Sequence, residues 1–371
     1  MESPAALLSF ARAGLPAAAM RERLELHSDP ESLWRAGVAA WRGSNASAES
    51  VARSQCPDAA LLASDLAWLE QPGHHLIGWQ DPDYPDLLRR IGNPPPMLFV
   101  AGDPDLLWHA QIAVVGSRRA STGGLDNARG FASAFARAGF AVCSGLAQGI
   151  DTAAHRGAFE QGRTIAVVAT GLDQVFPKAN HALAARIAAA GAVVSEHPPG
   201  TAPRSEHFPS RNRIIAGLSL GTVVIEAAER SGALITARLA TESGREVFAL
   251  PGSIHNPMAR GCHRLLRQGA ALVESPDEVV SALAPVAASL AGALRGRLNA
   301  VEPAASRSDG TARPCPPVQA GIWRALGHDP VNLDQLAERT GLTVAELAPM
   351  LLAMELDGRI SADAGRYTRR P

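Results

Sequence analysis

The sequence IAVVGSRRAS, residues 112–121, is a short apolar run that ends in glycine, serine and two arginines. Five more apolar runs of strand length follow it: AVCSG (141–145), TIAVVAT (164–170), AVVSEH (192–197), GTVVIEA (221–227) and EVFALPG (246–252). Segments with helical spacing of apolar residues separate the runs, at 125–138, 150–160, 180–190, 211–218 and 234–243. Strands that are apolar on both faces and alternate with helices are typical of a parallel sheet covered by helices. The sequence therefore predicts an α/β fold with a doubly wound, mostly parallel sheet.

Three other segments flank this α/β region, which we place at residues 76–284. Residues 1–73 are rich in alanine and leucine at helical spacing, and they predict a small helical domain. Residues 285–317 are rich in proline, alanine, serine and arginine, which indicates a flexible linker. Residues 318–371 return to helical spacing and predict a small C-terminal domain with helices at 321–326, 333–340 and 343–356 and a β wing at 357–367. Its predicted core consists of Leu333, Leu336, Ala337, Leu342, Leu347, Leu351 and Leu352.

The composition excludes several classes of protein. With 371 residues, 46% of them hydrophobic and 19% charged, the chain can bury substantial cores, which argues against overall disorder. Its 35 basic and 36 acidic residues give a net charge of −1, which argues against a protein that binds nucleic acid through its overall charge. The net charge does not exclude a local basic groove. The four cysteines lie far apart without a CxxC pair, which indicates neither a zinc site nor a disulfide framework. The sequence shows no targeting segment and no long apolar span, so we expect a cytoplasmic protein without a membrane anchor.

The ends of the predicted strands carry residues suited to phosphate binding. In a doubly wound sheet, ligands bind beyond the carboxyl ends of the strands. Small residues there let backbone N–H groups approach an anion, and arginine supplies a forked donor. The candidates at four successive strand ends are Gly116, Ser117 and Arg118, then Ser144 and Gly145, then Lys178, and finally Arg204, Phe208, Arg211, Asn212 and Arg213.

Each candidate also has a structural interpretation. Glycine after a strand commonly makes a tight turn, and residues 211–213 could be an ordinary helix start. Phe208 could belong to the core, or it could be a stacking platform for a base beside three arginines. Asp151 and His155, spaced i, i+4, could form an acid–base pair, but a helix cap and a buried imidazole are favoured because no nucleophile or metal ligand accompanies them.

Motifs of several enzyme classes are absent from the sequence. The first predicted strand is not followed by GxGxxG, and the second ends in Ser-Gly rather than in an acidic residue, so a nicotinamide dinucleotide site is not expected. Neither a P-loop nor GxSxG nor HExxH occurs. We therefore expect no cofactor, no metal site and no catalytic residue.

Six segments together resemble the DNA-processing protein A family, also called DprA or Smf. They are GSRRAS (116–121), SGLAQGIDTAAH (144–155), TGLDQVFPKAN (170–180), SEHPPGTAPRSEHFPSRNRIIAGLS (195–219), SGALITARLA (231–240) and GREVFALPGS (244–253). The resemblance covers about residues 76–284. The flanking segments resemble the sterile-alpha-motif-like N-terminal domain and the winged-helix C-terminal domain that members of this family often have.

The resemblance implies a Rossmann-like central domain that forms a homodimer and binds single-stranded DNA without being an enzyme. It implies that the protein protects incoming DNA during natural transformation and loads the RecA recombinase onto it. The candidate residues at the strand ends would form the DNA site. Many members carry a lysine at the position of Ser205, for which Arg204 would substitute here. Residues 259–266 depart from the family pattern SxGxNxLI.

Two points stay open. Residues 318–371 hold six arginines and seven acidic residues, and this lack of basic character favours a protein contact or an accessory DNA role over sequence-specific binding of duplex DNA.

The main alternative function is a nucleotide-binding or nucleotide-hydrolysing enzyme of the related phosphoribohydrolase group. The PGGxGTxxE signature of that group has a counterpart at 217–222 with Glu226, but the PGG is missing and the acid sits one residue too far along. A third candidate function is that of a scaffold protein whose only role is to contact a recombinase.

Overall fold

The structure is a computed structural model that describes residues 3–300 and, further along, residues 322, 325–326, 331–343, 347, 351, 360–363 and 366–369. The chain divides into two compact units, Met1–Asn299 and Ala300–Pro371. Within the described residues, no helix is both long and apolar enough to cross a membrane.

The first unit begins with helices and continues as a strand–helix alternation. The opening helices are α1 (Ser3–Ala13), α2 (Ala17–Glu25), α3 (Pro30–Arg35), α4 (Ala48–Gln55) and α5 (Ala59–Leu69). The strands are β1 (His74–Gly78), β2 (Met97–Gly102), β3 (Gln111–Val115), β4 (Ala141–Ser144), β5 (Thr164–Val167), β6 (Ala192–Ser195), β7 (Gly221–Val224), β8 (Glu246–Ala249) and β9 (Ala271–Leu272). The accompanying helices are α6 (Asp86–Arg89), α7 (Thr122–Arg137), α8 (Ile150–Phe159), α9 (His181–Ala190), α10 (His207–Leu218), α11 (Gly232–Glu242), α12 (Arg260–Arg267) and α13 (Pro276–Ala300).

All nine strands form one sheet, in the order β1-β2-β6-β5-β4-β3-β7-β8-β9. β2 pairs antiparallel with both β1 and β6, and the remaining neighbours are parallel. The predicted α/β fold with a doubly wound, mostly parallel sheet is confirmed, and all six predicted strands are present. The strand order reverses between β3 and β7, and such a switch point opens a crevice beyond the carboxyl ends of the strands.

Helices cover both faces of the sheet because its strands are apolar on both faces. In β3, Ile112 and Val114 enter one hydrophobic cluster, whereas Ala113 and Val115 enter another. Successive residues of a strand point to opposite faces, so these two clusters are the layers above and below the sheet. This arrangement leaves the strand ends, rather than the faces, open to a ligand.

The N-terminal helices pack onto the antiparallel edge of the sheet. Trp68 of α5 stacks on His74 at a centroid separation of 4.0 Å and meets Phe99 of β2 edge-on at 6.1 Å. Leu8 and Phe10 of α1 are fully buried in the same cluster as Phe99. The helices and the sheet therefore share one core, and the predicted domain boundary at residue 73 stays a prediction.

The segment predicted as a linker is helical in its first part. α13 extends over Pro276–Ala300 and contains Pro285. Residues 286–300 are mostly alanine, leucine and arginine, which have high helix propensities. The linker prediction missed this helix because it rested on the proline and serine content of the whole segment 285–317. The flexible linker is therefore wrong for 285–300, and the rest of it lies outside the described residues.

The second unit has a small sheet and one fully described helix. Its elements are β10 (Val331–Asn332), α14 (Leu333–Thr340), β11 (Ile360–Asp363) and β12 (Arg366–Arg369), with the sheet order β10-β12-β11. Leu336, Leu347 and Leu351 are buried in its core, as predicted. The β11–β12 hairpin overlaps the predicted wing. The helix predicted over 343–356 lies almost entirely outside the described residues.

Candidate functional site

An open cleft of about 750 Å³ lies at the switch point of the sheet. Its walls come from the loops that follow β3 and β7 and from the first turns of α10 and α11. Six of the eleven candidate residues line it, namely Gly116, Ser117, Arg118, Phe208, Arg211 and Asn212. The other five are not part of the lining, namely Ser144, Gly145, Lys178, Arg204 and Arg213. The structure thus assembles about half of the predicted site in one place.

The turn after β3 is packed tightly enough to require glycine and a small polar residue. A Cβ on Gly116 would lie 2.6 Å from a side-chain carbon of α8. Gly149, which precedes α8, has a φ of +81°, and a Cβ there would overlap the carbonyl oxygen of Ser117. The buried Ser117 hydroxyl accepts a hydrogen bond from the Arg119 N–H at 3.0 Å. Gly116 and Ser117 therefore shape the turn that brings Arg118 to the cleft.

The N-terminus of α7 is occupied by a carboxylate of the protein itself. Glu226, just beyond β7, accepts hydrogen bonds from the Ser121 N–H at 2.8 Å, the Ser121 hydroxyl at 2.7 Å and the Asn256 side-chain amide at 3.0 Å. A helix N-terminus is a ready anion site, and here the anion is supplied internally. A buried carboxylate with three donors is not free for nucleotide hydrolysis, which disfavours the enzyme alternative built on Glu226.

The turn after β4 is also closed by internal hydrogen bonds. The fully buried Ser144 hydroxyl donates to the Val114 carbonyl at 2.7 Å. The Asp151 carboxylate accepts from the N–H groups of Gly145, at 3.2 Å, and Ala147, at 3.3 Å. These groups have partners within the protein, which disfavours a direct role of Ser144 and Gly145 in phosphate binding, and that role stays a prediction.

Arg211 is an internal brace of the cleft floor. Its side chain donates to the carbonyl oxygens of Gly145, at 2.7 Å, and of Val167, and to the Asn212 side-chain oxygen at 3.2 Å. Burial lowers the pKa of Arg211 to about 10, so the guanidinium stays charged at neutral pH, with the Asp151 carboxylate opposing the shift. Arg211 joins the β4 loop, β5 and α10, and these contacts disfavour the direct phosphate contact, which stays a prediction.

Arg213 is paired with a carboxylate. Its Nη2 atom lies 2.5 Å from Glu196 Oε2, and both side chains are only 12% exposed. An ion pair shielded in this way neutralises the cation and leaves little attraction for a phosphate. The ion pair disfavours a phosphate contact of Arg213, which stays a prediction.

Two phenylalanines and an arginine form the accessible edge of the cleft. The Phe176 and Phe208 ring centroids are 5.5 Å apart, with the planes tilted by 59°. The Arg118 guanidinium carbon lies 5.7 Å from the Phe208 centroid. Phe176 is 44% exposed. It is not among the eleven candidate residues predicted from the sequence, where it forms part of the TGLDQVFPKAN segment. Its position directly before Pro177 and Lys178, in a strand-end loop, was the available signal.

Exposed cations surround this aromatic edge. Arg118, Arg119 and Arg230 line the cleft, whereas Lys178 lies on the loop that carries Phe176 and Arg204 precedes α10, whose first turn carries Phe208. Across the described part of the chain, none of the five has a carboxylate within 4.0 Å. Arg119 and Arg230 were not predicted, although Arg119 adjoins Arg118 in the GSRRAS segment.

Asp151 and His155 have structural partners. The His155 Nδ1 atom lies 2.7 Å from the Thr164 hydroxyl, and burial lowers the pKa of His155 to about 3, so its imidazole is neutral. Asp151 caps the β4 turn. These contacts favour the structural interpretation over an acid–base pair. Among the residues that the structure describes, no cluster of three metal-ligating side chains occurs.

Fold and cleft together define a Rossmann-like α/β protein with a cationic, aromatic-edged crevice at its switch point. The family model of DNA recombination-mediator protein A matches residues 75–284, and that of the DprA winged helix domain matches residues 303–366. The chain therefore belongs to the DprA (Smf) family of DNA recombination mediators.

Curated relatives and solved structures agree with this assignment. Protein Smf of Escherichia coli is 43% identical over 312 residues, which cover 83% of this chain and 80% of the relative. DNA processing protein DprA of Streptococcus pneumoniae has a solved structure that is 39% identical, with a TM-score of 0.67, and covers 74% of this chain and 96% of that one. A structure describing the single-stranded DNA binding mode of DNA processing protein A from Helicobacter pylori is 27% identical, with a TM-score of 0.52, over 57% of this chain and 96% of that one.

Proposed function

We propose that the protein binds single-stranded DNA in its switch-point cleft. The observation that carries the proposal is the contact of Phe208 with Phe176 and Arg118, which places aromatic rings beside unpaired cations. Aromatic rings stack on bases and guanidinium groups attract phosphates, so the two chemistries required for a single strand lie next to each other. The single-stranded DNA binding of the Helicobacter pylori relative supports the same assignment.

The aromatic edge accounts for a preference for single strands. In a duplex, each base is already stacked on its neighbours and paired with its partner, so its face cannot reach Phe176 or Phe208. An unpaired strand can turn a base onto a ring and keep its phosphates near Arg118 and Arg119. Because every base has a flat face and the phosphates are identical, little sequence preference results.

The proposed setting is natural transformation and recombination in the cytoplasm. There the protein protects incoming single strands and loads the RecA recombinase onto them, and it acts as a homodimer, without catalysing a reaction. Membership of the DNA recombination-mediator family supports this role. Two clefts in a dimer would bind one strand at an increased effective concentration, which raises the overall affinity.

The proposal predicts tighter binding of single strands than of duplex. At physiological salt, the full chain is expected to bind a fluorescein-labelled oligothymidylate at least about 5-fold more tightly than a duplex of the same length, because one stacked base contributes about 1–3 kcal/mol. Fluorescence anisotropy measures both affinities. Equal affinities would contradict the proposal, and release of free base from nucleoside monophosphates would favour the enzyme alternative.

A further inference from the structure

Arg12 of α1 connects the N-terminal helices with a loop beside the cleft. Its Nε atom donates to Asp65 Oδ2 at 2.8 Å, and its Nη2 atom lies 2.5 Å from Asp65 Oδ1. The same Nη2 atom donates to the Pro199 carbonyl oxygen at 2.7 Å. Asp65 of α5 has no exposed surface, and the Arg12 side chain is 24% exposed. One guanidinium therefore links two helices to the loop that follows β6.

The Pro199 loop is itself bonded to the loop that follows β5. The Gly171 N–H donates to the Thr201 carbonyl at 2.9 Å, and the Gly200 N–H donates to Asp173 Oδ1 at 2.7 Å. The packing is close, since a Cβ on Gly171 would lie 2.7 Å from the carbonyl oxygen of a neighbouring proline in the Pro199 loop. The two loops are therefore fixed to each other at this point.

These two loops carry or lead to four of the groups of the proposed DNA site. The loop after β5 continues from Gly171 to Phe176 and Lys178, and the loop after β6 continues from Pro199 past Arg204 into α10, whose first turn carries Phe208. Phe176 lies on the first of these loops and the second leads into the first turn of α10, so we expect the position of the junction to affect the placement of Phe176 relative to Phe208. Arg12 is the contact by which α1 and α5 hold that junction.

We propose that Arg12 is a positioning residue for DNA binding, through which the N-terminal helices fix the loop that carries Phe176 and the loop that leads into α10 and Phe208. This inference rests on the proposed function. The bidentate pair with Asp65 already satisfies the buried carboxylate. The additional bond to the Pro199 carbonyl adds nothing to that neutralisation, and its effect is to hold the loop.

The test separates positioning from stability. Removing Arg12 alone leaves Asp65 buried and unpaired, which destabilises the fold. The double variant Arg12→Met/Asp65→Leu removes both charges, and replacement of a buried ion pair by apolar residues is commonly neutral for stability. The control variant Arg35→Gln breaks an exposed ion pair with Glu31 in the same helical segment, without contact to the loops.

The full-length double variant is expected to unfold near the wild-type temperature and to bind the oligothymidylate about 2- to 30-fold more weakly. The salt dependence of its binding stays at the wild-type value, because the cations that meet the phosphates are all still present. Without DNA, the amide hydrogens of Gly171 and Gly200 exchange faster than in the wild type, since their junction is no longer anchored to α1. Arg35→Gln leaves affinity and exchange unchanged.

Wild-type exchange at both glycines in a folded double variant would overturn the inference, and so would wild-type affinity despite faster exchange. A variant that does not fold would also overturn it, because the pair would then be structural. Failure of the proposed function gives a different result, namely that the wild type itself does not bind the oligothymidylate, and the exchange measurement shows separately whether Arg12 holds the loops.

Discussion

Replacement of Arg211 by leucine is expected to lower the free energy of unfolding by about 3–5 kcal/mol, the usual cost of leaving a buried charge without its partner. Arg211 is only 5% exposed, and its guanidinium satisfies the carbonyl oxygens of Gly145 and Val167. Leucine would remove the hydrogen bonds to these two acceptors and the positive charge near the buried Asp151 carboxylate.

Urea unfolding of the full chain, followed by tryptophan fluorescence, measures this effect. The double variant Arg211→Leu/Asp151→Asn is expected to recover part of the loss, since the buried carboxylate is then neutral. Arg137→Leu is the matched control, because Arg137 is exposed, and surface changes usually stay within about 0.5 kcal/mol. A cost below about 1 kcal/mol for Arg211→Leu would show that Arg211 is not a brace.

Replacement of Phe208 by alanine is expected to weaken single-stranded DNA binding about 5- to 150-fold, which corresponds to the loss of one stacked base. Phe176→Ala should act in the same direction. The two rings are in contact at 5.5 Å, so the double variant is expected to lose less than the two single effects combined. Anisotropy titrations of the three variants measure this coupling.

Phe159 provides a matched control for the aromatic change. It also lies under an arginine, with the Arg186 guanidinium carbon 4.3 Å from its ring centroid, but it is at the end of α8 and does not line the cleft. Phe159→Ala is expected to leave DNA affinity unchanged. If Phe208→Ala bound as tightly as the wild type, the stacking role of Phe208 would have to be abandoned.

Local patterns were sufficient to predict six of the seven strands in the parallel part of the sheet, all except the two-residue β9. Each of its central strands is an apolar run bounded by glycine or serine, and both features depend on neighbours in the sequence. β1 was not predicted because His74 and His75 give it no continuous apolar run. β2 is apolar, but its place beside β6 is an antiparallel, non-local pairing that no sequence pattern specifies.

The sequence predicts which loops carry the candidate residues, but not which of their polar groups have partners within the protein. Residue types identified the cationic loops, whereas the state of each cation depends on a distant partner. Glu196 is seventeen positions from Arg213, and the Gly145 carbonyl is sixty-six positions from Arg211. Both Arg118 and Arg211 are arginines at strand ends, so the sequence does not distinguish them. Only the packing shows that Arg118 is exposed and that Arg211 is buried as a brace of the cleft floor. The hydrogen bond from Arg12 to the Pro199 carbonyl joins residues that are 187 positions apart, and no sequence pattern predicts it.

The salt dependence of single-stranded DNA binding tests the central claim, that exposed cations of the switch-point cleft hold the phosphates. A plot of log affinity against log salt concentration changes its slope by about 0.7 for each phosphate that the protein no longer neutralises. We predict that Arg118→Gln/Arg230→Gln makes the slope shallower by about 1.4. The control Arg137→Gln/Arg156→Gln, at the far ends of α7 and α8, is expected to leave it unchanged. A wild-type slope in the cleft variant, or an equal decrease in the control, would contradict the account.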